Sequence, residues 1–227
     1  MVTRRPTRIV LVDDHVLVRS GMRALLDAHP DLEVTGEASD GAEGVELALK
    51  SHPDVVLMDL AMPVLDGIEA TKRIIAAGSR ARILVVTSHD DDTLVLRALR
   101  AGATGFFLKD AAADRLAEAV RAVAKGDTLL APPIAKRLVE SQLGGTRVAL
   151  RPRFHALTER ERDIVRRLAH GLSNAALARD LGLSEATVKT HVTRLLTKLG
   201  VSSRVQAVVL AYESGFVRPG HTGDAEL

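Results

Sequence analysis

Short apolar runs and stretches with helical spacing alternate along the first half of the chain. The central run is residues 55–59, four apolar residues followed by Asp59, with turn signals on both sides. Such a run is typical of a strand buried on both faces, as found in parallel sheets. Similar runs predict strands at residues 8–12, 33–38, 82–87 and 105–108. Their alternation with helical stretches predicts an α/β fold, a doubly wound five-stranded parallel sheet.

The C-terminal part of the chain has helical spacing only. Thr158 and Glu161 have the spacing of a capping box at the start of a first helix. Residues 174–181 and 185–199 form two further helical stretches, each preceded by Ser and followed by Gly, with a three-residue turn between them. A fourth stretch covers residues 203–214. The pattern predicts a small all-α domain of four helices that contains a helix-turn-helix.

Proline and glycine pairs separate the two patterns. Pro132-Pro133 breaks the chain after the last predicted strand–helix unit, and Gly144-Gly145 opens a basic segment that is poor in apolar residues. We therefore expect a linker with a short helix near residues 134–143. The predicted organisation is a first domain at 1–127, a linker at 128–155, the helical domain at 156–217 and a flexible tail at 218–227.

Composition and charge narrow the range of functions. The 227 residues suffice for two domains with cores of their own, and the lack of Cys and Trp fits a reducing cytoplasm. No apolar stretch approaches the roughly 18 uncharged residues that a membrane-spanning helix needs. Residues 1–130 contain 16 Lys and Arg against 20 Asp and Glu, a net charge of −4, and residues 131–227 contain 15 against 9, a net charge of +6. We expect a cytoplasmic protein whose C-terminal domain faces an anion such as DNA.

Polar side chains stand where the predicted strands end. Asp13 and Asp14 follow the first strand, Asp59 ends the third, Thr87 closes the fourth and Lys109 follows the fifth. Because the carboxyl ends of parallel strands meet at one edge of a sheet, these side chains should form one site. Neighbouring carboxylates repel one another and recruit an oxygen-preferring divalent cation, most simply Mg²⁺. Lys109 can hold phosphoryl oxygens, so the set predicts phosphoryl transfer onto Asp59.

The helix predicted at residues 185–199 has two unlike faces. At about 100° per residue, one face is apolar and comprises Val188, Val192, Leu195, Leu196 and Leu199. The opposite face is small and hydroxylated, and it comprises Ala186, Thr190, Thr193 and Thr197, flanked by Lys189 and Arg194. Such a face can enter a major groove without steric conflict. The same pattern also fits an ordinary solvated helix face.

The first half resembles the receiver domain of bacterial two-component response regulators. The resemblance covers residues 7–125 and lies in the segments VLVDDH, VVLMDLAMPVLDG, ILVVTSH and AGATGFFLKD. It implies a flavodoxin-like fold in which Asp59 accepts a phosphoryl group from a sensor histidine kinase. Thr87 and Phe106 would be a switch pair, the hydroxyl moving toward the phosphoryl group and the ring filling the space it leaves. The implied Mg²⁺ ligands are Asp14, Asp59, the backbone carbonyl of Ala61 and, through water, Asp13.

The second half resembles the LuxR-type DNA-binding domain of the NarL/FixJ subfamily, nearly throughout residues 156–217. The resemblance implies double-stranded promoter DNA as a partner, and RNA polymerase is a further candidate. Residues implied at base edges are Lys189, Thr190 and Thr193, and residues implied near phosphates are Thr187, Arg194 and Lys198. A homodimer on phosphorylation is expected, with a dimer face that comprises Val205, Val208, Val209 and Tyr212.

Two other functions fit part of the pattern. A stand-alone Mg²⁺ phosphatase would also use an aspartate nucleophile, but it needs a second carboxylate two residues later, where this chain has Ala61. A DNA-binding protein with a phosphate-independent dimerisation platform would need none of the complete strand-end set, which comprises Asp13, Asp14, Asp59, Thr87 and Lys109. We therefore expect a phosphorylation-controlled transcription regulator. It should not be an enzyme, except that the receiver catalyses its own phosphorylation and dephosphorylation.

Overall fold

The structure is a computed structural model, and it describes residues 5–88, 92–109, 114–126, 152–169, 171–201 and 203–217. The chain divides into two compact units, Met1–Leu129 and Leu130–Leu227. The short helix predicted near residues 134–143 and the predicted tail lie outside the described residues.

Five parallel strands form one sheet in the first unit. The spatial order is β2-β1-β3-β4-β5, so the chain reverses its direction across the sheet between β1 and β3. The strands are Thr7–Val12 (β1), Leu32–Ala38 (β2), Val55–Met58 (β3), Arg82–Thr87 (β4) and Gly105–Leu108 (β5). The predicted fold class is confirmed, and the predicted bounds of β4 and β5 are those of the structure. Ligand sites in such sheets lie beyond the carboxyl ends of the strands at the reversal.

Helices follow the strands of this unit in turn. Their bounds are Val16–Asp27 (α1), Gly41–Ser51 (α2), Gly67–Ala76 (α3), Asp92–Ala101 (α4) and Asp114–Lys125 (α5). The Asp40 side chain caps α2 by accepting two hydrogen bonds from backbone N–H groups of its first turn, and the Asp66 side chain caps α3 by accepting one. These caps satisfy N–H groups that have no partner within the helix.

The central strand β3 is buried on both faces, as its apolar run predicts. Val55 and Leu57 pack with α1 and α5, and Val56 and Met58 pack with α2 and α3. Successive residues of a strand point to opposite faces, so one four-residue strand contributes to two cores. Fully burying a side chain of this size contributes roughly 1.5–3 kcal/mol, so these four side chains hold both layers of helices to the sheet.

Helix α1 buries less of its apolar surface than its spacing suggests. The apolar residues that recur with helical spacing are Val16, Leu17, Met22, Leu25 and Leu26. Of these, Met22 and Leu26 are buried one turn apart against the sheet. Val16 and Leu25 are exposed, and Leu17 is 87% exposed. These three apolar side chains therefore do not pack into a core of the described part of the chain.

The second unit is helical in all its described elements. The helices are Pro152–His155 (α6), Glu159–Ala169 (α7), Asn174–Leu181 (α8), Glu185–Leu199 (α9) and Arg204–Glu213 (α10). Their core is one apolar cluster, which includes Phe154, Ile164, Val165, Leu168, Leu177, Val188, Val192, Leu195 and Leu199. Phe154 belongs to the segment that was predicted as linker, and its ring stacks on that of Phe216 with 4.4 Å between centroids.

Serine and glycine residues mark the ends of the C-terminal helices. Ser173, Ser184 and Ser203 each accept a hydrogen bond from a backbone N–H in the first turn of α8, α9 and α10. Gly182 and Gly200 end α8 and α9 in the left-handed conformation, with φ of 63° and 67°, which glycine adopts without a steric penalty. The helix-turn-helix formed by α8 and α9 is confirmed at the predicted bounds.

Candidate functional site

The carboxyl ends of β1, β3 and β5 bring two carboxylates and an amine together. Val12 pairs with Met58 in the sheet, so the next residues, Asp13 and Asp59, leave neighbouring strands side by side. Both aspartates are buried. Lys109 Nζ lies 2.6 Å from Asp13 Oδ2 and 3.3 Å from Asp59 Oδ2. The structure thus brings together these three predicted site residues, which are far apart in sequence.

Backbone hydrogen bonds extend the sheet to the site residues. The Asp59 N–H donates to the Val12 carbonyl at 2.9 Å, and the Lys109 N–H donates to the Thr87 carbonyl at 2.9 Å. The Asp13 N–H donates to the Ala38 carbonyl at 3.1 Å. The functional residues therefore start from fixed backbone positions, which limits where their side chains can reach.

Asp14 adds a third carboxylate on the solvent side of the pair. Its Oδ1 lies 2.7 Å from Nδ1 of His15, the residue that precedes α1. The Asp13 Oδ1 atom accepts a hydrogen bond from the backbone N–H of His15 at 2.9 Å. One potential ligand atom from each of Asp13, Asp14 and His15 lies within 4.8 Å of the others.

The electrostatics of the site favour a divalent cation. Burial raises the pKa of Asp59 above its usual value, Lys109 acts in the opposite direction, and the neighbouring Asp13 raises it further. The contact of Lys109 with Asp13 Oδ2 is an ion pair without hydrogen-bond alignment. Two carboxylates thus share one ammonium group, with the Asp14 carboxylate close to that of Asp13, and this excess of negative oxygen fits a hard cation such as Mg²⁺. Ala61, whose carbonyl was predicted as a ligand, lies exposed in the loop after β3.

The predicted switch residues lie on adjacent strands. Thr87 ends β4 and pairs with Leu108, and Phe106 in β5 pairs with Val85, two residues before Thr87. Both side chains are buried. Their exchange of positions on phosphorylation stays a prediction.

Gly67 shapes the loop that follows Asp59, and in the sequence Asp66-Gly67 is one of the turn signals after the apolar run at residues 55–59. Its N–H donates to the Leu60 carbonyl at 3.1 Å. A Cβ at this position would lie 1.8 Å from the Asp59 carbonyl oxygen, so only glycine fits without a backbone shift. In the same loop, Val64 has φ of 65° and is 84% exposed. A left-handed conformation is costly for a β-branched residue, so this loop is held in a strained shape.

Helix α9 presents the two faces that its sequence predicts. Val188, Val192, Leu195 and Leu199 are buried in the core of the second unit. The residues predicted to contact DNA are all exposed, namely Thr187, Lys189, Thr190, Thr193, Arg194 and Lys198. The structure therefore brings them together on the outer surface of one helix, which is where a groove-binding face must lie.

Threonine hydroxyls along α9 donate to the helix itself. Thr190 Oγ1 donates to the Ala186 carbonyl at 3.0 Å, and Thr193 Oγ1 donates to the Lys189 carbonyl at 2.9 Å. Thr197 Oγ1 likewise donates a hydrogen bond to the Thr193 carbonyl at 3.1 Å. Each bond fixes a side-chain rotamer on the exposed face.

Lys198 is the cation of this face that forms an ion pair with a carboxylate among the described residues of the unit. Its Nζ lies 2.7 Å from Glu161 Oε2. Glu161 also accepts a hydrogen bond from the Thr158 N–H at 2.8 Å, while the Glu161 N–H lies 3.3 Å from Thr158 Oγ1, so the predicted capping box is present. The spacing of Thr158 and Glu161 signals the cap, but no local signal in the sequence links Glu161 to a lysine 37 residues away.

The residues predicted as a dimer face have little free surface in this structure. Val205, Val208 and Val209 are buried, and Val208 belongs to the core of the second unit. The Tyr212 hydroxyl donates to the Ala169 carbonyl at 3.0 Å, and burial raises its pKa. The dimer face stays a prediction.

Two family models match the two halves of the chain. Residues 9–121 match the response regulator receiver domain, and residues 155–211 match the luxR family of bacterial regulatory proteins. No helix among the described residues combines the length and apolarity needed to cross a membrane.

Whole regulatory proteins resemble the chain over more than nine-tenths of its length. The transcriptional regulatory protein LiaR of Bacillus subtilis is 44% identical over 92% of this chain and 99% of its own. The nitrate/nitrite response regulator protein NarL of Escherichia coli is 38% identical over 94% of this chain and 98% of its own. The crystal structure of ChrA, a response regulator in a heme-sensing two-component system, has 39% identity and a TM-score of 0.52, covering 94% of this chain and 100% of that chain.

Replacing Gly67 with Ala should destabilise the first unit by roughly 1–3 kcal/mol, because the new methyl group displaces the backbone that carries Asp59. Gly21→Ala is the matched control. Gly21 lies within α1 with nothing near its Cβ position, so alanine there should stabilise by about 0.5–1 kcal/mol. Urea unfolding of both variants measures the difference. Equal effects of the two substitutions would contradict the steric role of Gly67.

Proposed function

This chain belongs to the NarL/FixJ family of two-component response regulators, and we propose on that basis that Asp59 is the residue that its sensor histidine kinase phosphorylates. The family and the two domains make it a phosphorylation-controlled, DNA-binding transcription regulator. The observation that supports Asp59 most directly is its buried carboxylate, 3.3 Å from Lys109 and next to Asp13.

Phosphoryl transfer needs a nucleophile, charge neutralisation and little else. A carboxylate oxygen of Asp59 attacks phosphorus, and the bond from phosphorus to the donor's histidine nitrogen breaks. The electron pair stays on that nitrogen, which takes a proton. Lys109 then holds an oxygen of the new acyl phosphate, because Asp59 has lost the charge that Lys109 shared. Since the receiver itself supplies these groups, a small phosphodonor should replace the kinase.

The acid pocket of receiver domains generally binds Mg²⁺, and the oxygen-rich set in this chain fits that ion. Asp14, Asp59 and the Ala61 carbonyl would hold it, with Asp13 assisting through water. When bound, Mg²⁺ would offset the negative charge of the phosphoryl oxygens. Thr87 would donate a hydrogen bond to the acyl phosphate, and Phe106 would fill the space that Thr87 leaves.

In the second domain, α9 would enter the major groove of promoter DNA. Lys189, Thr190 and Thr193 lie on the exposed face and would meet base edges, while Thr187, Arg194 and Lys198 would lie near phosphates. A dimer would place two such helices on half-sites about one helical turn apart. The link between phosphorylation and DNA binding would then be the monomer–dimer equilibrium.

With Mg²⁺ and a small phosphodonor such as acetyl phosphate, we expect one phosphoryl group per chain, attached to Asp59. Intact-mass measurement of wild type and Asp59→Asn tests this, because the amide cannot form the acyl phosphate. Asp14→Asn serves as a second control that lowers the rate of labelling without removing the acceptor. Equal labelling of wild type and Asp59→Asn would reject the assignment.

Phosphorylation should raise the affinity for DNA through dimerisation, with a coupling free energy of about 1–3 kcal/mol. Light scattering with and without phosphodonor measures the mass, and parallel titrations measure DNA affinity. Asp59→Asn should stay at the unphosphorylated mass under both conditions. Tighter DNA binding without a change in mass would exclude the dimer route.

Lys189→Ala and Arg194→Ala should weaken DNA binding in different ways. Loss of a base contact at Lys189 should weaken the binding free energy by roughly 1–3 kcal/mol on a duplex selected by the wild-type protein. It should also reduce the difference in affinity between that duplex and a scrambled one. Loss of a phosphate contact at Arg194 should weaken both duplexes about equally and flatten the slope of log affinity against log salt by about 0.9. Titrations at several salt concentrations separate the two effects. The reverse assignment of effects would show that α9 lies differently in the groove.

A further inference from the structure

Glu161 connects the start of α7 to the end of α9 through a single carboxylate oxygen. Oε2 accepts the Thr158 N–H at 2.8 Å and lies 2.7 Å from Lys198 Nζ. The Glu161 side chain is only 7% exposed, whereas that of Lys198 is 40% exposed. The buried partner therefore has a fixed position, and the lysine must come to it.

The Glu161 carboxylate is charged at neutral pH. Its burial acts to raise its pKa, but the hydrogen bonds from Lys198 and Thr158 outweigh burial, and the pKa is lowered overall. Lys198 lies in the last turn of α9, where the carbonyl end of the helix also attracts a cation. Two local sources of negative potential thus hold the ammonium group on the protein.

Lys189 and Arg194, the other cations predicted at the DNA surface, have no such carboxylate partner among the residues that the structure describes. Within the described part of the chain, neither Lys189 nor Arg194 forms an ion pair with a carboxylate. No carboxylate of the described residues therefore compensates the charge of either side chain. Lys198 lies on the same helix, but its charge is already compensated by a nearly buried partner.

We propose that Glu161 is a positioning residue that withholds Lys198 from DNA phosphates and so lowers the sequence-independent affinity of the protein for DNA. The inference rests on the proposed function of α9 as the groove-binding helix. Each neutralised phosphate releases counterions and adds about 0.9 to the slope of log affinity against log salt in B-DNA. A lysine paired with Glu161 contributes less than this full amount.

Glu161→Gln tests the proposal in the full-length protein. Glutamine retains an oxygen that accepts the Thr158 N–H, so the capping box survives while the charge that holds Lys198 is removed. Glu159→Gln is the matched control. Glu159 is exposed and lies in the same first turn of α7, and its replacement by Gln changes the net charge by the same amount. Both variants are titrated with one mixed-sequence duplex over a range of salt concentrations.

Relative to Glu159→Gln, Glu161→Gln should steepen the salt slope by about 0.9 and tighten binding roughly fivefold to tenfold at 0.1 M salt. In the Glu161→Gln background, adding Lys198→Gln should reverse both changes. In the otherwise wild-type protein, Lys198→Gln should change the slope by much less than one full contact. This last comparison needs no change at the capping box, so it tests the proposal even if Glu161→Gln does not fold.

Equal slopes for Glu161→Gln and Glu159→Gln would overturn the inference, and so would a flatter slope for Glu161→Gln. If Lys198→Gln in the otherwise wild-type protein flattened the slope of log affinity against log salt by about 0.9, that result would also overturn the inference. If Lys189→Ala and Arg194→Ala have no effect on DNA binding, the proposed groove-binding helix fails and the inference fails with it. If Lys189→Ala and Arg194→Ala do weaken DNA binding but Glu161→Gln and Glu159→Gln have equal salt slopes, the inference fails while the proposed function stands.

Discussion

Two buried carboxylates share one ammonium group at the edge of the sheet, and the first domain depends on this arrangement. Buried charges are costly unless they are paired, and loss of one partner from a buried pair typically costs 3–5 kcal/mol. Lys109 can reach Asp13 and Asp59 only because β5, β3 and β1 end at the same edge of the sheet. The order of the strands thus satisfies an electrostatic requirement, and it leaves a net negative pocket that suits a divalent cation.

Much of this architecture can be predicted from local sequence, because the signals act over a few residues. The apolar run of β3 and the serine caps of the C-terminal helices specify their structures without distant contacts. The strand-end acids are predictable for a related reason, since parallel strands bring their ends together. By contrast, helical spacing does not predict that Leu17 is exposed. The spacing identifies the apolar face of a helix, but it does not show how much of that face the neighbouring strands cover.

Contacts between distant segments define what local patterns miss. The need for glycine at position 67 comes from the carbonyl of Asp59, eight residues earlier, and depends on the path of the loop between them. The pairing of Glu161 with Lys198 depends on how α7 and α9 pack. The capping signal in the sequence therefore predicts the hydrogen bond of Glu161 with Thr158 but not its ion pair with Lys198. In both cases the missed feature lies beside a residue that sequence reasoning had assigned to function.

The surface of α9 is ordered before any DNA is present. Ser184 and Gly200 fix the two ends of the helix, and three threonine hydroxyls are held by carbonyls one turn earlier. Association usually loses conformational entropy when side chains and termini become immobile, at about 0.5–1.5 kcal/mol for each rotamer-rich side chain. Here that ordering has largely occurred during folding. In the proposed complex, the entropy lost on binding DNA would therefore fall mainly on the long, exposed side chains of Lys189 and Arg194.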